Sequence, residues 1–348
     1  MSVPRPDYAG AVGHYTSPQR RDAIKQRWEE PRLVAVLDRL LDRIGAASRA
    51  PLDVLDVGCG SGTGLRLLDA TGHVRRRVTP LGYRGLDLDE DLLAVAREEH
   101  GHDGRTSFVS GDVRDGIGDP DIDLYLSTGV PWSHLTRDEL RAAVADVLAA
   151  ARGRDRPVGL VVDVLGRYSI EWPTRWASTR WDYRMSFFAG DDDPPRARMS
   201  TYGGDELAEV LRAAADAADA PPLDIELVDR SLLVGRHTTT GDYAPGVPAY
   251  RTLVNALWDP EVEVDLADLR FDLELPAAPA AVHTAYAALA TAWNDEVDAA
   301  ARTLRSPTER AGAQAALADR LRRLEPRCDA GLGMGHSLTA VATTRPTG

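Results

Sequence analysis

A mostly apolar run, Leu52–Val57, ends in a turn that carries glycine at alternate positions, Asp56-Val57-Gly58-Cys59-Gly60-Ser61-Gly62-Thr63-Gly64, and leads into an amphipathic segment around Leu65–Leu68. Glycine without a Cβ lets the chain turn sharply and lets a ligand pack directly on backbone, while a helix start presents free N–H groups. A strand, a glycine turn and a helix in this order form the opening of an α/β unit with a ligand site at the strand's carboxyl end.

The spacing limits which ligand. A dinucleotide fingerprint requires G-x-G-x-x-G, and here Gly58 and Gly60 are in place but Thr63 occupies the third position, which weakens that reading. No lysine follows the glycines, so the phosphate-binding Walker pattern is absent.

Beyond the turn the α/β rhythm continues. Strands are expected at Leu52–Val57, Tyr83–Leu88, Thr106–Val109, Ile122–Ser127 and Val158–Val164, each but the last followed by a helix. The helix after the fourth strand is marked by Thr136 and Glu139, whose spacing lets each side chain satisfy the other's backbone donor, and it runs to about Ala151. Upstream, Arg20 to Ile44 reads as a helix with one apolar face.

Four features in order give residues 52 to about 165 a resemblance to the class I S-adenosylmethionine-dependent methyltransferases, in their small-molecule type. Their first motif, D/E-x-G-x-G-x-G, is matched by Asp56, Gly58, Gly60 and Gly62. The acidic residue that holds the ribose at the end of the second strand is matched by Asp87, and the one that reads adenine after the third by Asp112. The fourth strand and its exit, Asp123 to Val130, are similar to the segment beside the methionine part of the cofactor. The resemblance therefore implies S-adenosyl-L-methionine as cofactor, with Asp56, Gly58, Cys59, Gly60, Asp87, Leu88, Asp112, Val113 and Ser127 around it. It also implies a Rossmann-like, seven-stranded, mostly parallel sheet with helices on both faces and an antiparallel last strand.

The expected organisation is a single domain. A helical cap occupies residues 1–50, the cofactor-binding core 51–165 and a substrate-side loop or cap 166–204; the core continues over 205–244, a helical insertion fills 245–330, and a final strand closes 331–348. Gly166 to Ser200 shows no clean period and reads as a long ordered loop or short helices. A helix is expected near Asp205–Ala218, a strand or strand pair within Asp224–Gly235, and a last strand over His336–Thr343. In the insertion Ser306, Pro307 and Glu309 start a helix and Pro326 stops it.

Methyl transfer from a sulfonium needs alignment of the acceptor and exclusion of water more than acid–base machinery. In Trp132-Ser133-His134-Leu135, which resembles the ending of this segment in small-molecule members, His134 is a candidate general base. A structural histidine bonded to a loop carbonyl is the other reading. Tyr15 is a second candidate catalytic residue, and with Tyr8 and His14 it is expected to close over the cofactor, as N-terminal helices do in related enzymes. Candidate substrate contacts are Trp132, Trp172, Trp176, Arg180 and Tyr183, from a stretch where aromatics alternate with arginines. Aromatics there can stack on a flat substrate or surround an amine, and arginines can fork onto a carboxylate or phosphate. The same stretch also fits a cap whose aromatics fill the core with arginines on its surface. The Asp229–His237 segment reads as a strand end and turn, and Asp191-Asp192-Asp193 as an acidic turn; no metal is expected.

Charge and composition narrow the partners. A net charge of -13 repels phosphate backbones and anionic membranes, and Lys25 is the only lysine, so the cations are almost all arginine. Ser127-Thr128-Gly129-Val130-Pro131-Trp132 stands where amino-group methylases of nucleic acid or protein carry N-P-P-Y. The expected partner is a small-molecule substrate, with no nucleic acid and no membrane, and a second copy of the chain as a candidate. Two cysteines, Cys59 and Cys328, and no signal-like or membrane-length apolar run fit a cytoplasmic protein. The reading is an enzyme that methylates an O or N acceptor in specialised-metabolite biosynthesis. A non-methyl transfer or rearrangement on the same fold, and a non-catalytic cofactor-binding partner, are the alternatives.

Overall fold

The computed structural model describes residues 12–13, 17, 21–49, 51–75, 80–102, 104–184, 196–239, 243–244, 246–303 and 307–345. Its sheet is built on β1 (Leu52–Val57), β2 (Leu81–Asp87), β3 (Thr106–Ser110), β4 (Leu124–Leu126) and β5 (Gly159–Gly166), all parallel in the order β3-β2-β1-β4-β5. Every residue of β4 and β5 is buried, as expected of parallel strands covered on both faces. Further along the chain lie β6 (Arg180–Arg184), β7 (Arg196–Tyr202), β8 (Asp224–Arg230) and β9 (Ser337–Thr343). The last strand, β9, inserts antiparallel between β5 and β8, and with β6 and β7 the sheet has nine strands rather than the seven expected.

The helices are α1 (Glu30–Arg43), α2 (Thr63–Ala70), α3 (Glu90–His100), α4 (Arg137–Ala151), α5 (Gly204–Ala217), α6 (Tyr250–Leu257), α7 (Ala280–Thr303) and α8 (Pro307–Cys328). On one face of the sheet α4 and α5 pack Leu140, Val144, Leu207 and Leu211 against Val162, Val164 and Leu338. On the other, α1, α2 and α3 pack Leu37, Leu41, Leu68 and Leu93 against Leu124, Val161 and Val341. The Thr136–Glu139 pair starts α4 as its spacing predicts: Thr136 Oγ1 accepts from Glu139 N at 3.2 Å and Glu139 Oε2 from Thr136 N at 2.7 Å. None of the helices, among the described residues, is long and apolar enough to cross a membrane.

Two local expectations are corrected. The Gly166–Ser200 stretch is not loop and short helix alone: β6 and β7 form an antiparallel ribbon, and β7 attaches to the end of β5 through Leu165↔Thr201 and Gly166↔Tyr202. Because β9 runs along one edge of β5 and β4 pairs only at Gly159 and Leu160, the other edge is left for β7. Asp224–Gly235 holds a single strand, one of the two arrangements expected there. Pro326 does not stop α8, which runs on to Cys328, since a proline this near the end disturbs only the last turn.

Upstream of α1, residues Lys25–Glu29 form a π-turn. Pro31 accounts for it: the ring has no N–H to give the carbonyl four residues earlier, so the regular ladder is interrupted there.

Candidate functional site

The carboxyl ends of β1, β2, β3 and β4 open into a cleft of about 990 Å³. In the glycine turn Gly58, Gly60 and Gly62 all have left-handed φ, at 68°, 51° and 86°, and Gly58 and Gly60 line the cleft. A Cβ on Gly58 would stand 2.4 Å from Pro131 Cβ, whereas one on Gly60 would find nothing nearer than 4.0 Å. Gly58 is thus required for packing of the turn against the β4 exit, and Gly60 for backbone conformation and open space above it.

Asp87, at the end of β2, accepts from Gly60 N at 2.7 Å and Asp89 N at 3.0 Å, and lines the cleft. Burial raises its pKa, while these two N–H groups pull it back. Asp89 then caps α3, its Oδ1 accepting from Leu92 N at 2.9 Å. Leu88, Asp112 and Val113 line the same wall. Asp112 is engaged from beside it by Arg114, whose Nη2 lies 2.6 Å from Oδ2.

Asp56 stands elsewhere. It is fully buried beneath the turn, lines no part of the cleft, and accepts from Tyr83 OH at 2.5 Å. Burial lifts its pKa to about 7. A Cβ on Gly64 would fall 2.0 Å from its Oδ2, so Asp56 supports the turn and the start of α2 from below. Cys59 lines the cleft with its thiol pushed up by burial. Ser127 is fully buried and is not in the cleft wall.

The exit from β4 bends through Gly129 and Val130, both with left-handed φ, at 89° and 65°. Asp163 on β5 holds this bend: its Oδ2 accepts from Gly129 N at 2.8 Å, Val130 N at 3.3 Å and Arg230 Nη2 at 2.9 Å, and its Oδ1 from Thr339 Oγ1 at 2.9 Å. The bend delivers Pro131, Trp132, His134 and Leu135 to the cleft wall. Burial and the Arg180 guanidinium push the His134 pKa down to about 4, so it is neutral at pH 7 and a weak base.

The far walls come from two elements. One is the π-turn and α1, through Lys25, Glu29, Glu30 and Leu33; the other is the β6–β7 ribbon, through Asp182, Arg196, Ala197 and Arg198. Burial alone would raise the Glu29 pKa, but Arg251, Arg230 and Arg236 hold it well below 4.5. Arg251 Nη1 and Ser231 Oγ both donate to its Oε1 at 2.8 Å.

Trp172, Trp176 and Tyr183 are not in the cleft wall. They are buried in the core beneath the insertion, with Trp181, Tyr250, Tyr286 and Trp293. Trp172 Nε1 donates to Gly166 O at 2.9 Å and Trp176 Nε1 to Ser169 O at 2.8 Å, which fixes both indoles as packing groups. Arg180 lies behind the wall, donating to His134 O at 3.3 Å. Tyr15, Tyr8, His14 and Asp191-Asp192-Asp193 lie outside the described residues. Sequence reasoning missed Glu29 and Arg230 as cleft residues, since Arg230 reads locally as the end of a strand.

Residues 54–153 match the family model described as a methyltransferase domain. No curated protein matches the chain. Similar solved structures include an S-adenosylmethionine-dependent methyltransferase from Mesorhizobium loti, 16% identical over 56% of this chain and 82% of that one, TM-score 0.40. A second, from Clostridium acetobutylicum, is 12% identical over 64% and 91%, TM-score 0.42. An amino pentose methyltransferase from Micromonospora echinaspora with its S-adenosylmethionine bound is 18% identical over 66% and 93%, TM-score 0.38. At these TM-scores none of the three bears on what this chain binds. Residues 54–153 are therefore a methyltransferase domain, and the glycine turn and Asp87 stand within it.

Proposed function

We propose that the enzyme transfers the methyl group of S-adenosylmethionine to an oxygen or nitrogen of a small molecule, in the biosynthesis of a specialised metabolite. The observation that carries this is the cleft's two-part wall. One part is the glycine turn with Asp87, Leu88, Asp112 and Val113; the other is Trp132, His134 and the β6–β7 ribbon. A volume of about 990 Å³ lies at the upper end of what small-ligand pockets occupy, which leaves room for an acceptor beside the cofactor. A net charge of -13 disfavours a nucleic-acid acceptor.

The residues fit the cofactor. Gly58 and Gly60, both with left-handed φ, expose backbone to the cleft, and the Asp87 carboxylate is an acceptor suited to ribose hydroxyls. Bound there, S-adenosylmethionine supplies an electrophilic methyl group. The protein's own part is orientation and exclusion of water, with Trp132 and Leu135 giving an apolar wall. A His134 with a pKa of about 4 accepts a hydrogen bond from the acceptor without taking its proton to any large extent at neutral pH.

The test is incubation of the full chain with S-adenosylmethionine and a panel of small alcohols, phenols and amines, following S-adenosylhomocysteine release and product mass together. A product heavier by one methylene, with stoichiometric S-adenosylhomocysteine, supports the reading. A 3-amino-3-carboxypropyl adduct, with methylthioadenosine released in place of S-adenosylhomocysteine, contradicts it in favour of a different transfer.

A further inference from the structure

Asp112 lines the cleft with both of its oxygens taken by one neighbour. Its Oδ1 accepts from Arg114 N at 3.0 Å and Arg114 Nε at 2.9 Å, and its Oδ2 from Arg114 Nη2 at 2.6 Å and the same Nε at 3.1 Å. An ionised carboxylate offers about four lone-pair sites, and these four contacts account for them. The pairing is local, because Asp112 caps the short turn Val113–Asp115 that carries Arg114. The Arg114 side chain also lines the cleft.

The wall around this pair suits a flat base. Asp87 ends β2 and Asp112 follows β3, its parallel neighbour, and Gly111 N donates to Asp87 O at 3.0 Å, so the two strand exits run together. Leu88, 39% exposed although it lines the cleft, and Val113 supply apolar surface beside them. With the ribose at Asp87, the base is the part of the cofactor that covers Leu88 and Val113. Its exocyclic amino group is then a donor of the kind that Asp112 accepts. Asp112 takes it only by giving up a guanidinium N–H.

A second carboxylate stands ready for that guanidinium. Arg114 Nη1 lies 3.7 Å from Glu139 Oε1, at the start of α4. Glu139 uses Oε2 for its cap, accepting from Thr136 N at 2.7 Å and Thr136 Oγ1 at 2.8 Å, and Oε1 is the oxygen nearer Arg114. Arg180 acts on Glu139 through charge, after Arg114 in strength. The Asp112 side chain is 5% exposed and that of Arg114 26%, so Arg114 is the partner with room to move. Passing from one carboxylate to the other keeps its charge paired throughout.

We propose that Arg114 competes with the adenine amino group for Asp112, and that cofactor binding passes its guanidinium to Glu139, so that Arg114 sets how firmly the cleft holds the base. Arg114 is a positioning residue, acting through Asp112. The inference rests on the cofactor reading of the cleft and names a residue that tunes it.

The experiment is calorimetric titration of the full chain with two ligands, S-adenosylhomocysteine and its analogue in which hydrogen replaces the adenine amino group. The proteins are the parent, Arg114→Met and Glu139→Gln. Methionine removes the competing guanidinium and keeps the backbone N–H on Asp112, while glutamine preserves the capping box and removes the charge that receives Arg114. In the parent the amino group should improve affinity by about threefold or less. In Arg114→Met S-adenosylhomocysteine should bind about threefold to tenfold tighter, a gain that no unfolded variant would show, and its advantage over the analogue should widen to about tenfold or more. The analogue should bind both proteins alike. Glu139→Gln should weaken S-adenosylhomocysteine by about threefold and leave the analogue unchanged. Weaker binding of S-adenosylhomocysteine by Arg114→Met, or the same advantage of the amino group in parent and variant, would overturn the proposal and make Arg114 a mere support of Asp112. No heat with either ligand in the parent would overturn the cofactor reading itself, and this proposal with it.

Discussion

Asp163 accepts a hydrogen bond from the backbone of Val130, a β-branched residue held at a left-handed φ of 65°. The same oxygen takes Gly129 N and Arg230 Nη2, so one buried carboxylate on β5 organises both the β4 exit and a cation of the cleft wall. Asp163→Asn keeps the shape but replaces an acceptor with a donor and strips Arg230 of its counter-charge. The expected loss is about 3 kcal/mol of stability, read by urea unfolding, with weaker cofactor binding. A loss under about 1 kcal/mol would mean that the bend holds itself.

Val130 in that conformation carries strain of about 1–2 kcal/mol that glycine would not. Its side chain also packs against the core, which offsets part of the relief. Val130→Gly is therefore expected to leave stability within about 1 kcal/mol of the parent or to raise it. Thermal unfolding checks this, and a fall of several degrees would show that packing outweighs strain.

The two glycines of the turn should fail differently. Gly58→Ala drives a Cβ into Pro131 as well as adding φ strain, so both stability and cofactor affinity fall, the former by more than about 2 kcal/mol. Gly60→Ala meets nothing within contact and costs only the φ strain, about 1 kcal/mol, while filling space over the cleft floor. Paired melting curves and S-adenosylhomocysteine titrations separate the cases. Equal destabilisation by the two substitutions would contradict the packing argument.

Much of this was legible because it is local. The glycine turn, the capping box at Thr136 and Glu139, and the short strands each announce themselves within a few residues. The ribbon did have a signal: Arg180-Trp181-Asp182-Tyr183-Arg184 alternates strictly, as a strand does, but it lies among aromatics and prolines that obscured the period. Arg196 and Arg198 line the cleft while its aromatics pack into the core, so the residue types singled out for substrate contact divide between two faces. Glu29 and Arg230 could not be paired from sequence at all. They meet only because the π-turn at Pro31 and the end of β8 converge on one opening. Asp56 shows the reverse error, a residue of the cofactor motif whose place is under the turn rather than in contact with the cleft.

Linkage to pH follows from buried histidine. Burial chiefly lowers the His237 pKa from 6.5 to about 4, so between those values the unfolded chain binds more protons and the fold loses stability as pH falls. Asp56, Asp229 and Glu325, each raised to about 7 by burial, act the opposite way over the same interval and flatten the overall profile. His237→Gln removes one histidine term. Its stability deficit relative to the parent should shrink on going from about pH 7 to about pH 5, by up to about 1.4 kcal/mol per pH unit below pH 6.5. Urea unfolding at the two values measures it, and a constant deficit would show that His237 does not stay neutral in the folded chain.

Occupancy of the cleft by the cofactor is measured by calorimetric titration of the full chain with S-adenosylmethionine and S-adenosylhomocysteine, beside an Asp87→Ala variant and with NAD as control. Both sulfur ligands are expected to bind in roughly the micromolar range and NAD not at all, with a loss of about tenfold or more in the variant, whose carboxylate no longer faces the ribose. No heat with either sulfur ligand, confirmed by a second binding assay, or equal binding by parent and variant, would contradict it.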